Sequence, residues 1–201
     1  MTSHSSTGSE HPVPTRQRGR LIVLAGPTAV GKSTVVAAVR ECVPDLYFSV
    51  SMTTRAPRPG EVHGQDYYFV SIEEFRAAVA AGTMLEWAEV HSGLQLSGTP
   101  AEPIDEALED GRPVLVEVDL AGVRSMKRLK PECHTVFLAP PDWEALEERL
   151  RSRATEDHDI VARRLATARE ELAARDEFDS VVVNGELEAA VSELVRLINN
   201  P

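Results

Sequence analysis

Cysteine is scarce in this chain. Cys42 and Cys133 are the two among 201 residues, they form no CxxC pair, and no cluster of histidines or cysteines accompanies them. That spacing excludes a disulfide framework and a zinc site, and it points to a reducing compartment. Positive charge is also in short supply: 21 Lys and Arg against 32 Asp and Glu leave a net charge of −11. An acidic chain is a poor general binder of nucleic acid or of an anionic membrane, so neither is expected as a partner. Any anionic ligand has to meet a local concentration of cations, which makes clustered arginines informative. Long apolar runs are missing too, and no segment is suited to crossing a bilayer. The first nineteen residues, rich in Ser, Thr, Pro, His and Gly, have no apolar stretch, and read as neither a secretory signal nor an anchor. They are expected to be a disordered tail outside the fold. With both kinds of segment lacking, the expected location is the cytoplasm.

What is present is an ordinary globular composition, 42% hydrophobic and 26% charged. The length suits one domain, or one domain with a small insert, and can bury a core without covalent staples. Short apolar runs recur at "LIVLA" (21–25), "VLVEVD" (114–119), "TVFLA" (135–139) and "SVVVN" (180–184). Each has the character of a strand buried on both faces of a parallel sheet. Helical patterns lie between them at 34–42, 142–153 with Asp142 as N-cap, 159–175 and 186–198. Alternation of this kind predicts a doubly wound α/β core. Residues 50–100 break the rhythm, being dense in Pro, Gly, Arg and Tyr. They predict a small insert with short strands, one of them at 84–91, and one helix opened by a capping box of Ser71 and Glu74.

The sharpest signal follows the first strand. "GPTAVGKS" places Gly26, Gly31, Lys32 and Ser33 in the pattern G-x-x-x-x-G-K-[ST], between a strand and a helix. The backbone N–H groups of Gly26, Pro27, Thr28, Ala29, Val30, Gly31 and Thr34 (proline excepted) line a loop able to wrap phosphate oxygens at a helix N-terminus. Lys32 supplies a mobile cation to the terminal phosphates, and the Ser33 hydroxyl is suited to Mg²⁺. The loop indicates a nucleoside triphosphate. It leaves the phosphoryl acceptor open, since many chemistries share it.

Four further stretches bear on the acceptor: "FSVSMTTRAPRPGEVHGQDYYF" (48–69), "LEWAEV" (85–90), "VEVDLAGV" (116–123) and "RSRATEDHDIVARRL" (151–165). In this order they resemble the guanylate kinase family, and the resemblance runs from about residue 20 to the C-terminus. It implies a P-loop doubly wound parallel-sheet core at 20–50 and 100–201, a small mixed α+β GMP-binding insert at about 51–99, and a helical lid at about 151–165. Arg55 and Arg58, on a loop stiffened by Pro57 and Pro59, match the positions that hold the acceptor phosphate, and two guanidinium forks suit a phosphate dianion. Tyr67 matches a hydroxyl that reaches the same phosphate. Glu86 matches the reader of the guanine edge, where one carboxylate can accept from N1–H and N2–H₂. Ser51 and Thr99 match hydroxyls that meet the base, and Asp119 a position near its amino edge. Glu117, at a strand end beside the loop, is the candidate to hold the waters of Mg²⁺. Arg153 and Arg164 match lid arginines that embrace the transferring phosphoryl, with Arg149, Arg151 and Arg163 as competitors. Asn184 matches a position near the adenine.

Three departures from the family pattern stand out. Thr28-Ala29 replaces the usual Ser-Gly, Ala154 replaces a lid glycine, and "HSGLQLSGT" (91–99) lacks the tyrosine that usually contacts the acceptor phosphate, leaving Leu94, Leu96 and Ser97 in its region. The resemblance implies the reaction ATP + GMP ⇌ ADP + GDP with Mg²⁺, dGMP being a further expected acceptor, within purine nucleotide metabolism. Two rivals stand beside it. One is a guanylate kinase-like binding module without catalysis, which the intact loop speaks against. The other is a P-loop kinase for a different acceptor, which Glu86, Ser51 and Thr99 speak against. Oligomeric state is not legible.

Overall fold

The computed structural model describes residues 17–90, 95–152 and 158–200. In chain order it contains β1 (Leu21–Ala25), α1 (Lys32–Cys42), β2 (Tyr47–Phe48), β3 (Met52–Thr53), β4 (Tyr68–Phe69), α2 (Ile72–Ala80), β5 (Met84–Val90), β6 (Gln95–Pro100), α3 (Glu102–Glu109) and β7 (Val114–Glu117). There follow α4 (Leu120–Leu129), β8 (His134–Ala139), α5 (Trp143–Ser152), α6 (His158–Ala173), β9 (Ser180–Val183) and α7 (Leu187–Asn199). Of the expected sites, Arg153 and Ala154 in the lid, the 91–94 part of the departing stretch, and residues 1–16 of the tail lie outside the described residues.

A sheet of five parallel strands, in the order β2-β7-β1-β8-β9, forms the centre. Strand β1 shows why its residues are apolar at every position. Ile22 and Leu24 point into a cluster with Val35 and Val39 of α1, Leu146 and Leu150 of α5 and Leu194 of α7. Leu21, Val23 and Ala25 point the other way, onto Ile104 and Leu108 of α3 and Val123 and Met126 of α4. With a side-chain period of two, a strand covered on both faces has no position left for a polar residue. This is the doubly wound arrangement that the alternation predicts.

The differences from expectation are local. Strand β2 has two residues, too few for a periodic pattern. Helices α3 and α4 were not expected, because glycine and proline punctuate their sequences. The run "VLVEVD" is strand only to Glu117; Asp119 turns out of it and caps α4, its Oδ1 accepting from the Gly122 N–H at 2.7 Å. The Asp142 cap is present, Oδ1 accepting from Ala145 N–H at 2.7 Å. At the N-terminal boundary, Gly19 donates to the Leu108 carbonyl at 2.8 Å, so the packed chain begins ahead of residue 20. No helix of the described residues is long and apolar enough to cross a membrane.

Residues 52–100 build a second sheet, ordered β4-β3-β6-β5, with β3 parallel to β4 and antiparallel to β6. Helix α2 opens with the capping box: Ser71 Oγ accepts from Glu74 N–H at 3.1 Å and Glu74 Oε2 from Ser71 N–H at 2.7 Å. Phe75 of α2 is fully buried against Met84 and Leu96. This core is small, so each contact weighs heavily. Gly98 on β6 is the tightest of them, since a Cβ there would lie 2.5 Å from the Glu86 carbonyl and 2.7 Å from Trp87 Cβ. Substituting Gly98→Ala forces β5 and β6 apart. A loss of about 1–3 kcal/mol is expected from such overpacking, read as a lower urea midpoint at unchanged m-value.

Candidate active site

The loop between β1 and α1 lies at the C-terminal end of the parallel strands. Gly26 packs on the neighbouring strand so closely that a Cβ would sit 2.3 Å from the Leu138 carbonyl oxygen. Gly31 adopts φ +102°, in the left-handed region, and serves as N-cap of α1. It has no side chain to bond the first-turn N–H groups; that of Thr34 donates to the Gly31 carbonyl at 3.1 Å, and among the described residues no side chain caps those of Lys32 and Ser33. The Val30 carbonyl accepts from Asn184 Nδ2 at 2.7 Å and from Arg149 Nη1 at 3.1 Å, so β9 and α5 latch the loop from the side. Lys32 turns its Nζ back over the loop, donating to the Gly26 carbonyl at 2.8 Å and the Pro27 carbonyl at 3.3 Å. Ser33 and Thr34 are exposed at the head of α1.

Ala29, where the family usually has glycine, is held at φ +66°. A Cβ in left-handed backbone meets the following carbonyl and costs roughly 1–2 kcal/mol. Ala29→Gly is therefore expected to stabilise the protein by up to about 1 kcal/mol, part of the relief being offset by the freer unfolded chain. Urea unfolding of both proteins measures it.

A cleft of 340 Å³ opens on one side of this loop. Gly26, Thr28 and Lys32 form one wall, Glu117, Asp119 and Glu171 the floor, and Ser51, Tyr67, Glu86 and Ser97 from the insert the opposite wall. A second cavity, of 320 Å³, lies on the other flank, bounded by Ala29, Gly31, Thr34, Arg149, Asn184 and Leu187. The sequence-predicted residues therefore gather around the loop in two groups. Arg55 stacks on the Tyr67 ring and is not in the cleft wall, Arg58 is exposed and lines neither cavity, and Arg164 is half-buried on α6 and lines neither cavity.

On the insert wall, Thr99 is completely buried and its Oγ1 donates to Glu86 Oε1 at 2.6 Å. Its hydroxyl is thus engaged with the carboxylate, whereas the resemblance implied a direct contact with the base. Burial pushes the Glu86 carboxyl above the usual carboxylate range; the Thr99 bond opposes that and the nearby Asp119 charge adds to it. The Glu117 carboxyl is likewise raised by burial, against the pull of Lys32. Ser51 and Ser97 face the same space, while Leu96 points into the insert core with Phe75 and Met84.

The arginine loop is braced by a residue that composition alone does not single out. Glu61 accepts from Arg55 Nη1 at 2.7 Å and Nη2 at 2.8 Å, and from the Arg58 backbone N–H at 2.7 Å. The Arg55 guanidinium also stacks 5.0 Å from the Tyr67 ring centroid and 5.5 Å from that of Phe69. Glu61 takes the end of the guanidinium fork, which leaves the Nε edge directed elsewhere and suited to an oxyanion. The Arg55 bond, helped by the Arg58 N–H, holds the Glu61 carboxyl down at about 2. A depressed carboxyl contributes in full above its ordinary value near 4.5 and is lost only as pH falls towards 2, so this brace persists through any physiological pH. The spacing from Arg55 to Glu61 was the available signal for it; Arg149 was named only as a competitor among the lid arginines, and Glu171 had no signal beyond its place on a helical run.

Thr99→Val removes the hydroxyl at nearly constant volume. The Glu86 carboxyl then loses the contact that lowers it, so its protonation moves to higher pH. The KM of the ligand it reads should rise roughly tenfold, as for a lost bond to a charged group. The acid limb of kcat/KM should shift upward in pH, which a merely loosened fold would not produce.

Comparison with known proteins agrees with this geometry. The guanylate kinase family model matches residues 18–201. The guanylate kinase of Corynebacterium efficiens is 61% identical over 179 residues, covering 89% of this chain and 94% of that one. That of Corynebacterium diphtheriae is 63% identical over 180 residues, covering 90% and 94%. Among solved structures, guanylate kinase from Anaplasma phagocytophilum superposes with a TM-score of 0.71 at 28% identity, over 91% of this chain and 86% of that one. A triphosphate-type loop and a half-buried carboxylate on a separate small sheet share one cleft, and the family match covers residues 18–201: the chain belongs to the guanylate kinase family.

Proposed function

We propose that the chain transfers the terminal phosphoryl group of ATP to GMP, ATP + GMP ⇌ ADP + GDP, with dGMP as a further acceptor. The observation that carries this reading is Glu86. Its carboxylate is half-buried, held by Thr99, and faces the same cleft as the phosphate loop. With Asp119 beside it, it offers acceptors to the N1–H and N2–H₂ donors of guanine. Adenine presents an acceptor at N1 and meets repulsion there.

In this reading the acceptor phosphate lies against Arg55, Arg58 and Tyr67, with Ser97 as the nearest further hydroxyl in the wall. Ser51 borders the base. The donor triphosphate lies along the loop from Gly26 to Thr34, with its adenine towards Asn184. An oxygen of the GMP phosphate attacks the γ-phosphorus as the bond to the bridging β–γ oxygen breaks, and ADP leaves with that electron pair. The attacking oxygen carries no proton near neutral pH, so no general base is assigned. Lys32, Arg55, Arg164 and Arg153 (which lies outside the described residues) balance the equatorial charge. The exposed Ser33 hydroxyl and the Glu117 carboxylate beside Lys32 are hard oxygen donors, which fits Mg²⁺ shared with the nucleotide, Glu117 acting through water. Bound there, Mg²⁺ would neutralise phosphate charge. The division into core (20–50 and 100–201), insert (about 51–99) and lid (about 151–165) is part of this reading, with Gly19 already packed on the core and the tail before it outside the chemistry. The cytoplasm suits a purine nucleotide enzyme of this composition.

A coupled assay with ATP, Mg²⁺ and each of GMP, dGMP, AMP, CMP and UMP tests the reading. Turnover with GMP and dGMP is expected, and Lys32→Ala should abolish it while the circular dichroism is kept. Comparable kcat/KM for AMP would sink the acceptor assignment. Because the usual tyrosine is missing, Tyr67→Phe should raise the GMP KM more than Ser97→Ala does. The reverse order would make Ser97 the principal hydroxyl donor to the phosphate.

A further inference from the structure

One carboxylate in the cleft has no part in that mechanism. Glu171 sits in the last turn of α6, and its Oε2 accepts from the Thr28 N–H of the phosphate loop at 3.3 Å. It lines the same cleft as Gly26, Lys32 and Glu117. Burial raises its carboxyl, while the Thr28 bond and the Lys32 charge favour the ionised form. An anionic oxygen on a loop N–H, close to the loop lysine, is the arrangement that a triphosphate oxygen would meet there. Helix α6 holds Glu171 in place through Ala168, Leu165 and Leu172, which pack into the main core. The adjacent Glu170 is exposed and absent from the cleft wall.

We propose that Glu171 is an internal stand-in for a donor phosphate oxygen: it accepts from the Thr28 N–H of the loop and is displaced when the polyphosphate binds. This rests on the phosphate-loop reading above and adds a consequence to it. Two anions cannot share one donor beside a single lysine, so donor binding is opposed by the carboxylate and has to move this turn of α6. The first turns of α6 lie within the lid segment of about 151–165, so displacement at its C-terminal turn links donor occupancy to the lid end of the same helix. The contact satisfies the Thr28 N–H and sets a carboxylate near the Lys32 charge.

The test is isothermal titration of the full chain with inorganic tripolyphosphate, without Mg²⁺, for wild type, Glu171→Gln and Glu170→Gln. Each variant removes one negative charge from α6. Loss of the competing carboxylate raises the fraction of binding-competent loop, and Glu171→Gln should tighten binding about fivefold or more, with Glu170→Gln within about twofold of wild type. Equal effects of the two variants would reduce the result to general charge and overturn the proposal. So would unchanged or weaker binding by Glu171→Gln. Failure of wild type to bind tripolyphosphate at all would overturn the phosphate-loop reading itself, a separate outcome. Should Glu171→Gln not fold, wild type suffices. Saturating tripolyphosphate must then shift the backbone amide resonances of residues 168–172, and unmoved resonances there refute displacement.

Discussion

The governing constraint is electrostatic. Two highly charged anions have to meet on a chain of net charge −11, in a cleft that itself carries Glu86, Glu117, Asp119 and Glu171. Among the described residues lining that cleft, Lys32 is the one cation. Attraction from formal charge alone cannot drive binding under those conditions. The loop answers with backbone N–H groups, whose partial charges are fixed in direction and need no counter-ion. That is why its conformation is so heavily specified. Gly26 is pressed on Leu138, Gly31 is left-handed, and Val30 is gripped by Asn184 and Arg149. Even Ala29 is held in backbone that disfavours it.

Several other cations are spent on ion pairs with the acidic surroundings, Arg124 with Glu177 and Lys130 with Asp105 among them. Arg55 is braced by Glu61, yet the brace takes only one end of its fork, and the rings of Tyr67 and Phe69 cover its face. The same contact fixes the Arg58 backbone. A single carboxylate thus shapes the loop and leaves an edge of guanidinium for an oxyanion. The insert that carries this loop has a core of a few large side chains around Phe75. Its geometry depends on close backbone contacts such as Gly98 against Glu86, rather than on bulk burial.

How legible this was in the sequence depended on the range of the interaction. Strands β1, β7 and β8 announce themselves because burial on both faces demands unbroken apolar runs; β9 has the same apolar run but lies at the sheet edge, where Val182 is buried and Val183 is exposed, so burial on both faces is not what the structure gives it. Strand β2 does not announce itself, since its two residues are paired to β7 through the fold rather than by any local pattern. The phosphate loop was readable because its glycines are required by backbone geometry within eight residues. The capping box of Ser71 and Glu74 was readable for the same reason. The Thr99–Glu86 bond was not: two residues thirteen apart are brought together by strand register, and sequence alone suggested that both touch the base. Glu171 lies still further from its partner, 143 residues along the chain, and only the docking of α6 on the core brings it to Thr28. Asp119 shows the opposite case, a correct location with an added duty, since one of its oxygens is spent on the cap of α4.

The acidity of the cleft then becomes a means of orientation. Guanosine monophosphate has one end that donates hydrogen bonds and one that is anionic. On the proposed reading of the site, Glu86 and Asp119 attract the first and repel the second. The arginine loop and the amide-lined phosphate loop do the reverse. A ligand entering backwards would set its phosphate against two carboxylates, one of them half-buried, where little water remains to screen the repulsion. The correct entry puts each end in the field that suits it and turns the phosphate towards the loop that holds the donor. On this view the shortage of positive charge is part of the specificity. A basic cleft would bind both nucleotides more tightly and distinguish their two ends less well.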